Sequence, residues 1–307
     1  NTSRGLRREV IVTFGKALPM DTKAEELKQK IFELSFDAWE HQSQKFEPLP
    51  LAWMRSAKEH LGTPCVIDTN GVELSHGKMM AAVASFAHKM RSIDSEKNVA
   101  ILLPASSAAI ITNMAVLLNG QTAVNINFTT STAAIQSGIK NAAIKTVYTS
   151  EKFIEKMQSR GLDVEAMLQG LRIVYLEDLK EKISKPLLAI SFLLARLLPA
   201  YSFYRLFGRK VNINDAAAIL FSSGSEGTPK GIVLSHRDFM SNIKRISDVL
   251  KPRDDDVVMG CLPPFHSFGL TVTTFLPLIE GIPVVCHPDP TDVVNIAKAI
   301  SRNKVTV

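Results

Sequence analysis

The sequence predicts an α/β protein built from layered, mainly parallel sheets flanked by helices. Three observations carry that expectation. Short apolar runs of strand length recur at Val99–Pro104, Thr122–Ile126 and Lys145–Tyr148 with helix-length segments between them, the alternation that builds parallel sheets through crossover helices. A fourth run, Ala216–Phe221 (AAAILF), is wholly apolar and suits a buried strand. With 307 residues, 46% hydrophobic and 21% charged, the chain can bury a substantial core as one large domain or two smaller ones.

At the N-terminus Arg8–Phe14 (REVIVTF) alternates like a strand, and Gly15–Pro19 ends it. Residues 22–39 read as a helix, because Leu27, Ile31, Leu34 and Ala38 recur at three- and four-residue steps. One strand and one helix cannot bury both their faces, so residues 1–45 are expected to belong to a larger neighbour. Residues 46–50, rich in proline, read as a linker, and 51–307 as the second domain. There a helix from Leu51 leads to a strand at Val66–Asp68, a turn at Thr69-Asn70-Gly71, and a helix from Leu74 through Ile93. The strands named above follow, with a small-residue helix ending at Asn119. These segments are read as scaffold.

Leu187–Phe207 is the most apolar stretch, but Arg196, Pro199 and Arg205 interrupt it, so it does not suit a span of roughly 20 residues. Two readings stay open: a core or linker helix, or a segment lying in a membrane interface with its arginines at the headgroups.

The ten residues from Ser222 to Gly231 are mostly small, hydroxylated or glycine, closed by Pro229, Lys230 and Gly231. A strand then resumes at Ile232–Leu234, expected to be buried, and a helix begins near Asp238. A hairpin needs only two loop residues, so this loop asks for another role. Glycines admit a ligand close to backbone N–H groups, hydroxyls add donors, and lysine supplies a point charge for phosphate. The pattern fits neither G-x-x-x-x-G-K-[ST] nor G-x-G-x-x-G. A flexible surface loop is the alternative. Further on, Val257–Leu262 reads as a strand ending in Pro263-Pro264-Phe265-His266-Ser267-Phe268-Gly269-Leu270. Taken alone, a histidine such as His266 beside aromatic residues is more often a packed or surface histidine than a catalytic one.

The net charge of +6, from 36 basic and 30 acidic residues, is compatible with an anionic ligand or an anionic membrane surface, and equally with neither. No dense basic stripe with interleaved aromatics points to nucleic acid. Cys65, Cys261 and Cys286 are few and far apart, which argues against disulfides or zinc and for a reducing cytosol. No signal-peptide pattern opens the sequence, and a first residue of Asn1 reads as an excised piece.

The string Ser222-Ser223-Gly224-Ser225-Glu226-Gly227-Thr228-Pro229-Lys230-Gly231 resembles the phosphate-loop signature of the adenylate-forming (acyl-adenylating) enzymes. Glu226 stands where most members carry Thr or Ser. That variant, with Leu-Pro-Pro-Phe-His-Ser-Phe-Gly-Leu-Thr around His266, is similar to the branch of bacterial bifunctional 2-acylglycerophosphoethanolamine acyltransferase/acyl-[acyl-carrier-protein] synthetases. EVIVTFGKALP and ELKQKIFELSFDAW within residues 1–45 resemble the end of an acyltransferase domain. The resemblance implies ATP with Mg²⁺ held at residues 222–231 and no metal ligand from the protein in this stretch. It implies a catalytic role for His266, and an acyl and phosphate wall of His266, Ser267, Phe268 and Gly269, with room left at Gly269. The implied reaction activates a fatty acid as its adenylate and passes it to acyl carrier protein, or to coenzyme A. In the bifunctional enzymes a lysophospholipid is the final acceptor, which implies a cytoplasmic protein peripheral on, or fused to, the inner membrane. The only His-x-x-x-x-Asp spacing, His287 to Asp292, is read as chance because two prolines lock its turn. Further family segments are expected beyond Val307, whose surroundings read as the middle of a strand, and this stretch alone is expected to be inactive.

Overall fold

The computed structural model describes residues 11–222 and 230–307. The chain divides into two compact units, residues 1–47 and 48–307. In the first, α1 (Ala24–Ser43) fulfils the helical periodicity. Residues 11–14 of the expected strand form none, and Val12 and Phe14 are exposed. A strand needs a partner ladder for its N–H and C=O groups, and a lone helix offers none.

The second unit opens with α2 (Leu49–Glu59), which begins inside the expected linker with Pro50 in its first turn, where proline's missing N–H costs nothing. Next come β1 (Pro64–Asp68), β2 (Glu73–Ser75), α3 (His76–Met90), β3 (Asn98–Leu102), α4 (Ser107–Leu118), β4 (Thr122–Asn125), α5 (Thr132–Asn141) and β5 (Thr146–Thr149). Leu74 and Ser75, expected in a helix, lie in β2. Ser75 then caps α3 by accepting from the Lys78 N–H. A further group has no counterpart in the sequence reading: α6 (Glu151–Ser159), α7 (Val164–Met167), β6 (Arg172–Tyr175) and α8 (Leu176–Glu181). Four- to nine-residue elements carry too little periodicity to announce themselves.

The apolar stretch becomes two helices, α9 (Lys185–Leu197) and α10 (Ala200–Phe207), parted at Pro199. The chain continues through β7 (Ala216–Ser222), β8 (Lys230–Ser235), α11 (His236–Leu250) and β9 (Val258–Gly260). α12 (Ser267–Leu270), a π-helical turn at Thr271–Phe275, α13 (Leu276–Glu280), β10 (Val284–Cys286) and α14 (Val293–Asn303) complete it. α11 starts two residues before the expected position because Ser235 and Asp238 form a reciprocal capping box.

Among the described residues the strands form two sheets, ordered β6-β5-β3-β4-β7-β8 and β2-β1-β10-β9. All pairings are parallel except β1 with β2 and β7 with β8, so the mainly parallel α/β expectation holds. β8 departs from its expected burial. It is an edge strand with Ile232 and Val233 exposed. At the other sheet's edge the Val307 N–H donates to the Val257 carbonyl and the Met259 N–H donates to Val307. That exchange is a single parallel bridge opposite Val258, and residues 305–307, expected in a strand, form none. α4, nearly all buried, packs on α3, about two-thirds of which is buried, in the core.

Candidate functional site

The loop signature and the His266 segment lie far apart in sequence, and the sheet brings both to one edge. β4 runs parallel to β7 with Ala123 opposite Ala218. Ser222 and Asn127, each four residues further on, therefore leave the sheet at the same end. Phe128, next after Asn127, meets Phe265 edge-on at 5.1 Å, and Phe265 stacks obliquely on His266 at 4.5 Å. In α/β sheets the carboxyl ends of the strands are where ligands bind.

The loop base is set by pairing. Ser222 lies opposite Lys230 in the antiparallel β7–β8 register, and the Ser222 hydroxyl reaches the Lys230 carbonyl at 3.5 Å. Ser222 is half-buried, whereas Lys230 and Gly231 are exposed. Ser223, Gly224, Ser225, Glu226, Gly227, Thr228 and Pro229 lie outside the described residues. Phe221 anchors the base in a slot between two glycines. A Cβ at Gly138 or at Gly231 would stand 3.2 Å from its ring, closer than ordinary contact. Neither Phe221 nor Gly138 was singled out from sequence.

His266 is the residue before the first turn of α12. Its N–H donates to the Pro263 carbonyl and its own carbonyl accepts from Leu270. His266, Ser267 and Phe268 are exposed, and Gly269 is buried. The room expected at Gly269 is filled by backbone: a Cβ there would stand 2.2 Å from the Pro263 oxygen. The Gly269 carbonyl accepts from the hydroxyls of Thr273 and Thr274 at 2.9 and 3.0 Å. They belong to the π-helical turn, a distortion often found at functional sites.

Sequence reasoning missed a cleft of about 750 Å³ at the ends of β1, β3, β5 and β10. Asp68, Thr69, Ser106, Lys152, Phe153 and His287 are among its walls, and none of the residues expected at the site lines it. The two regions adjoin through Phe153, which meets Phe128 at 5.2 Å. Asp68 accepts from the N–H and hydroxyl of Ser107 at the start of α4. Burial raises its pKa above the usual carboxylate range, against the lowering effect of those two bonds. Thr69 Oγ1 lies 2.8 Å from His287 Nδ1. His287 Nε2 sits 3.4 Å from Asp292 Oδ2 without hydrogen-bond alignment, so the His-x-x-x-x-Asp spacing brings its ends together, with the imidazole held from the Thr69 side. Next to Pro288 of the cleft wall, Asp289 pairs with Arg160. The Thr291 hydroxyl, then Arg160, holds the Asp289 carboxyl well below its ordinary range. Among the described residues no group of three or more His, Cys, Asp or Glu side chains is placed to hold a metal.

The model of the AMP-binding enzyme family matches residues 53–307. The chain belongs to that family. It is 25% identical over 272 residues to a 4-coumarate–CoA ligase-like protein and 24% over 229 residues to 4-coumarate–CoA ligase 1, both from Arabidopsis thaliana. These alignments cover 82 and 73% of this chain but 44 and 39% of the two relatives, so the chain spans less than half the length of either. In fold it is similar to the O-succinylbenzoate coenzyme A synthetase of Bacillus subtilis solved with ATP and magnesium. The TM-score is 0.67 at 19% identity, covering 85% of this chain and 48% of that one.

Proposed function

We propose that the protein of which this chain is a part activates a carboxylic acid with ATP and passes the acyl group to a thiol. The acid's carboxylate attacks the α-phosphorus, giving an acyl-adenylate and pyrophosphate; the thiolate then displaces AMP and leaves a thioester. Such a step needs charge neutralised and atoms aligned in line, not a nucleophile from the protein. Ser222–Gly231 would hold the phosphates, with the exposed Lys230 ammonium and the Ser222 hydroxyl at the base. Mg²⁺ would be carried chiefly by the phosphates, which suits an ion that keeps few protein ligands. His266, Ser267 and Phe268 form the wall along which the carboxylate approaches.

The observation that carries the reading is the β7–β8 hairpin. Its register sets Ser222 and Lys230 at the base of a hydroxyl- and glycine-rich loop, on the edge where Phe128 and Phe265 lead to His266. Family membership and relatives named as CoA ligases support it. The finer reading is a fatty acid as substrate and acyl carrier protein as acceptor, with residues 1–45 ending an acyltransferase domain that reacylates a lysophospholipid. The Ser-Glu-Gly loop and the Leu-Pro-Pro-Phe-His-Ser-Phe-Gly string support that branch. Coenzyme A as acceptor is the second reading, favoured by the relatives' names.

The test is ATP–pyrophosphate exchange by the protein extended to its natural C-terminus, across carboxylates of increasing chain length. Exchange peaking with long-chain acids and lost in Lys230→Ala is the expected result. A folded protein that binds ATP yet exchanges with no acid would leave a non-catalytic nucleotide-binding module. Thioester yield with holo-acyl carrier protein against coenzyme A decides the acceptor.

A further inference from the structure

Helix α9 carries an apolar ridge that the fold leaves uncovered, and α10 adds two exposed apolar side chains. α9 lies on α3, burying Ser191 and Ala195, and the Ser191 hydroxyl meets that of Ser85 at 3.4 Å. Lys58 holds the far end of α9 by donating to the carbonyls of Ala195 and Arg196 at 2.6 and 3.1 Å. The helix is therefore fixed in rotation, and the opposite face is the one turned to solvent. Ile190, Leu193 and Leu197 are 54, 53 and 67% exposed. At about 100° per residue they form one stripe, with Lys185 and Arg196 together on one flank. Beyond Pro199, Tyr201 and Leu206 of α10 are 51 and 55% exposed.

Charge identifies what this ridge meets. From 182 to 214 the sequence has six basic residues and no acidic one. Lys182, Lys185, Arg196, Arg205, Arg209 and Lys210 are all exposed. A second copy docking through this face would set like charges together, which opposes association. An apolar stripe with basic flanks fits an anionic bilayer surface, where leucines enter the acyl boundary and arginines and lysines reach the headgroups. No helix among the described residues is long and apolar enough to cross a membrane.

We propose that α9 and α10 form an interfacial anchor that docks this protein on anionic lipid. The inference rests on this surface alone and not on the adenylation reading.

The experiment is co-sedimentation with vesicles of phosphatidylcholine alone or with about one-third phosphatidylglycerol, at low and high salt. Binding to the anionic vesicles at low salt is expected, falling at least tenfold at high salt as screening shortens the reach of the basic residues. The double variant Leu193→Gln/Leu197→Gln should lose at least tenfold, and Arg196→Gln/Arg205→Gln should lose binding to anionic vesicles selectively. Leu193 and Leu197 are 53 and 67% exposed and both arginines are exposed, so these changes spare the core, which a thermal melt checks. Ile232→Gln, an exposed apolar residue on β8, should bind as before. Absence of binding to anionic vesicles, equal binding to neutral ones, or binding unaffected by both variants would overturn the proposal. So would a concentration-dependent dimer abolished by the leucine variant, which would assign the ridge to a second copy.

Discussion

Substituting Gly269 by alanine tests how the His266 segment is built. The added Cβ would stand 2.2 Å from the Pro263 oxygen, 2.9 Å from its carbonyl carbon and 3.0 Å from the Leu262 oxygen. Every one of these is backbone and cannot rotate aside. Restoring ordinary contact, about 3.4 Å, requires the 262–263 backbone and α12 to part by roughly 1 Å, with His266 carried between them. Overpacking of this kind costs about 1–3 kcal/mol. Alanine returns at most about 1 kcal/mol of helix propensity, and α12 is only four residues long, so the cost wins by about 2 kcal/mol. At a urea slope of about 2–3 kcal/mol/M this lowers the unfolding midpoint by roughly 0.7–1 M. In the extended protein a displacement near 1 Å at His266 should also reduce exchange by about 10²-fold. Gly62→Ala is the control, because nothing lies within 4 Å of a Cβ there. An unchanged midpoint for Gly269→Ala, with Gly62→Ala also unchanged, would refute the claim that close backbone approach fixes this turn.

Acid should destabilise the protein through two buried histidines. His76 and His236 are 0 and 1% exposed, and burial pulls each down to a pKa of about 4 from 6.5. A depressed histidine leaves the unfolded chain binding more protons, so stability is whole above pH 6.5 and falls towards pH 4, by about 1.4 kcal/mol per pH unit per group. Urea midpoints between those pH values measure it; a flat profile would contradict the burial. His76→Leu should flatten the profile by roughly half, since neither His76 ring nitrogen has a hydrogen-bond partner to lose. Asp68→Ala strips two bonds from the start of α4 and should cost about 2 kcal/mol, read as a lowered urea midpoint, whereas Asp68→Asn should cost less. Gly138→Ala, with its Cβ 3.2 Å from the Phe221 ring, should shift that ring by a few tenths of an ångström and weaken ATP binding, measured by titration, while Gly161→Ala, open to solvent but at φ +80°, should affect stability alone.

The sequence by itself determined what depends on neighbours in the chain. The βα alternation and the break at Pro199 are local chemistry and can be read in order, whereas the caps at Ser75 and Ser235 came from the structure. Readable too is the hydroxyl- and glycine-rich stretch at 222–231, whose composition marks a loop suited to a phosphate ligand. The resemblance, not spacing, added His266 and the need for room at Gly269. Residues 223–229 lie outside the described structure, so the loop's own geometry adds nothing to what its composition says. The tertiary structure decided which strands are edges, and so exposed Ile232 and Val233 of β8, residues as apolar as those of a core strand. It placed β10 beside β1, 218 residues away in register at Val66 and Val284, and with them made the cleft of Asp68, Thr69 and His287. It also turned Ile190, Leu193 and Leu197 outward, because the small side chains of Ser191 and Ala195 are the ones that fit against α3. Periodicity names the two faces of a helix; only the partner's shape and its hydrogen bonds choose which face is buried.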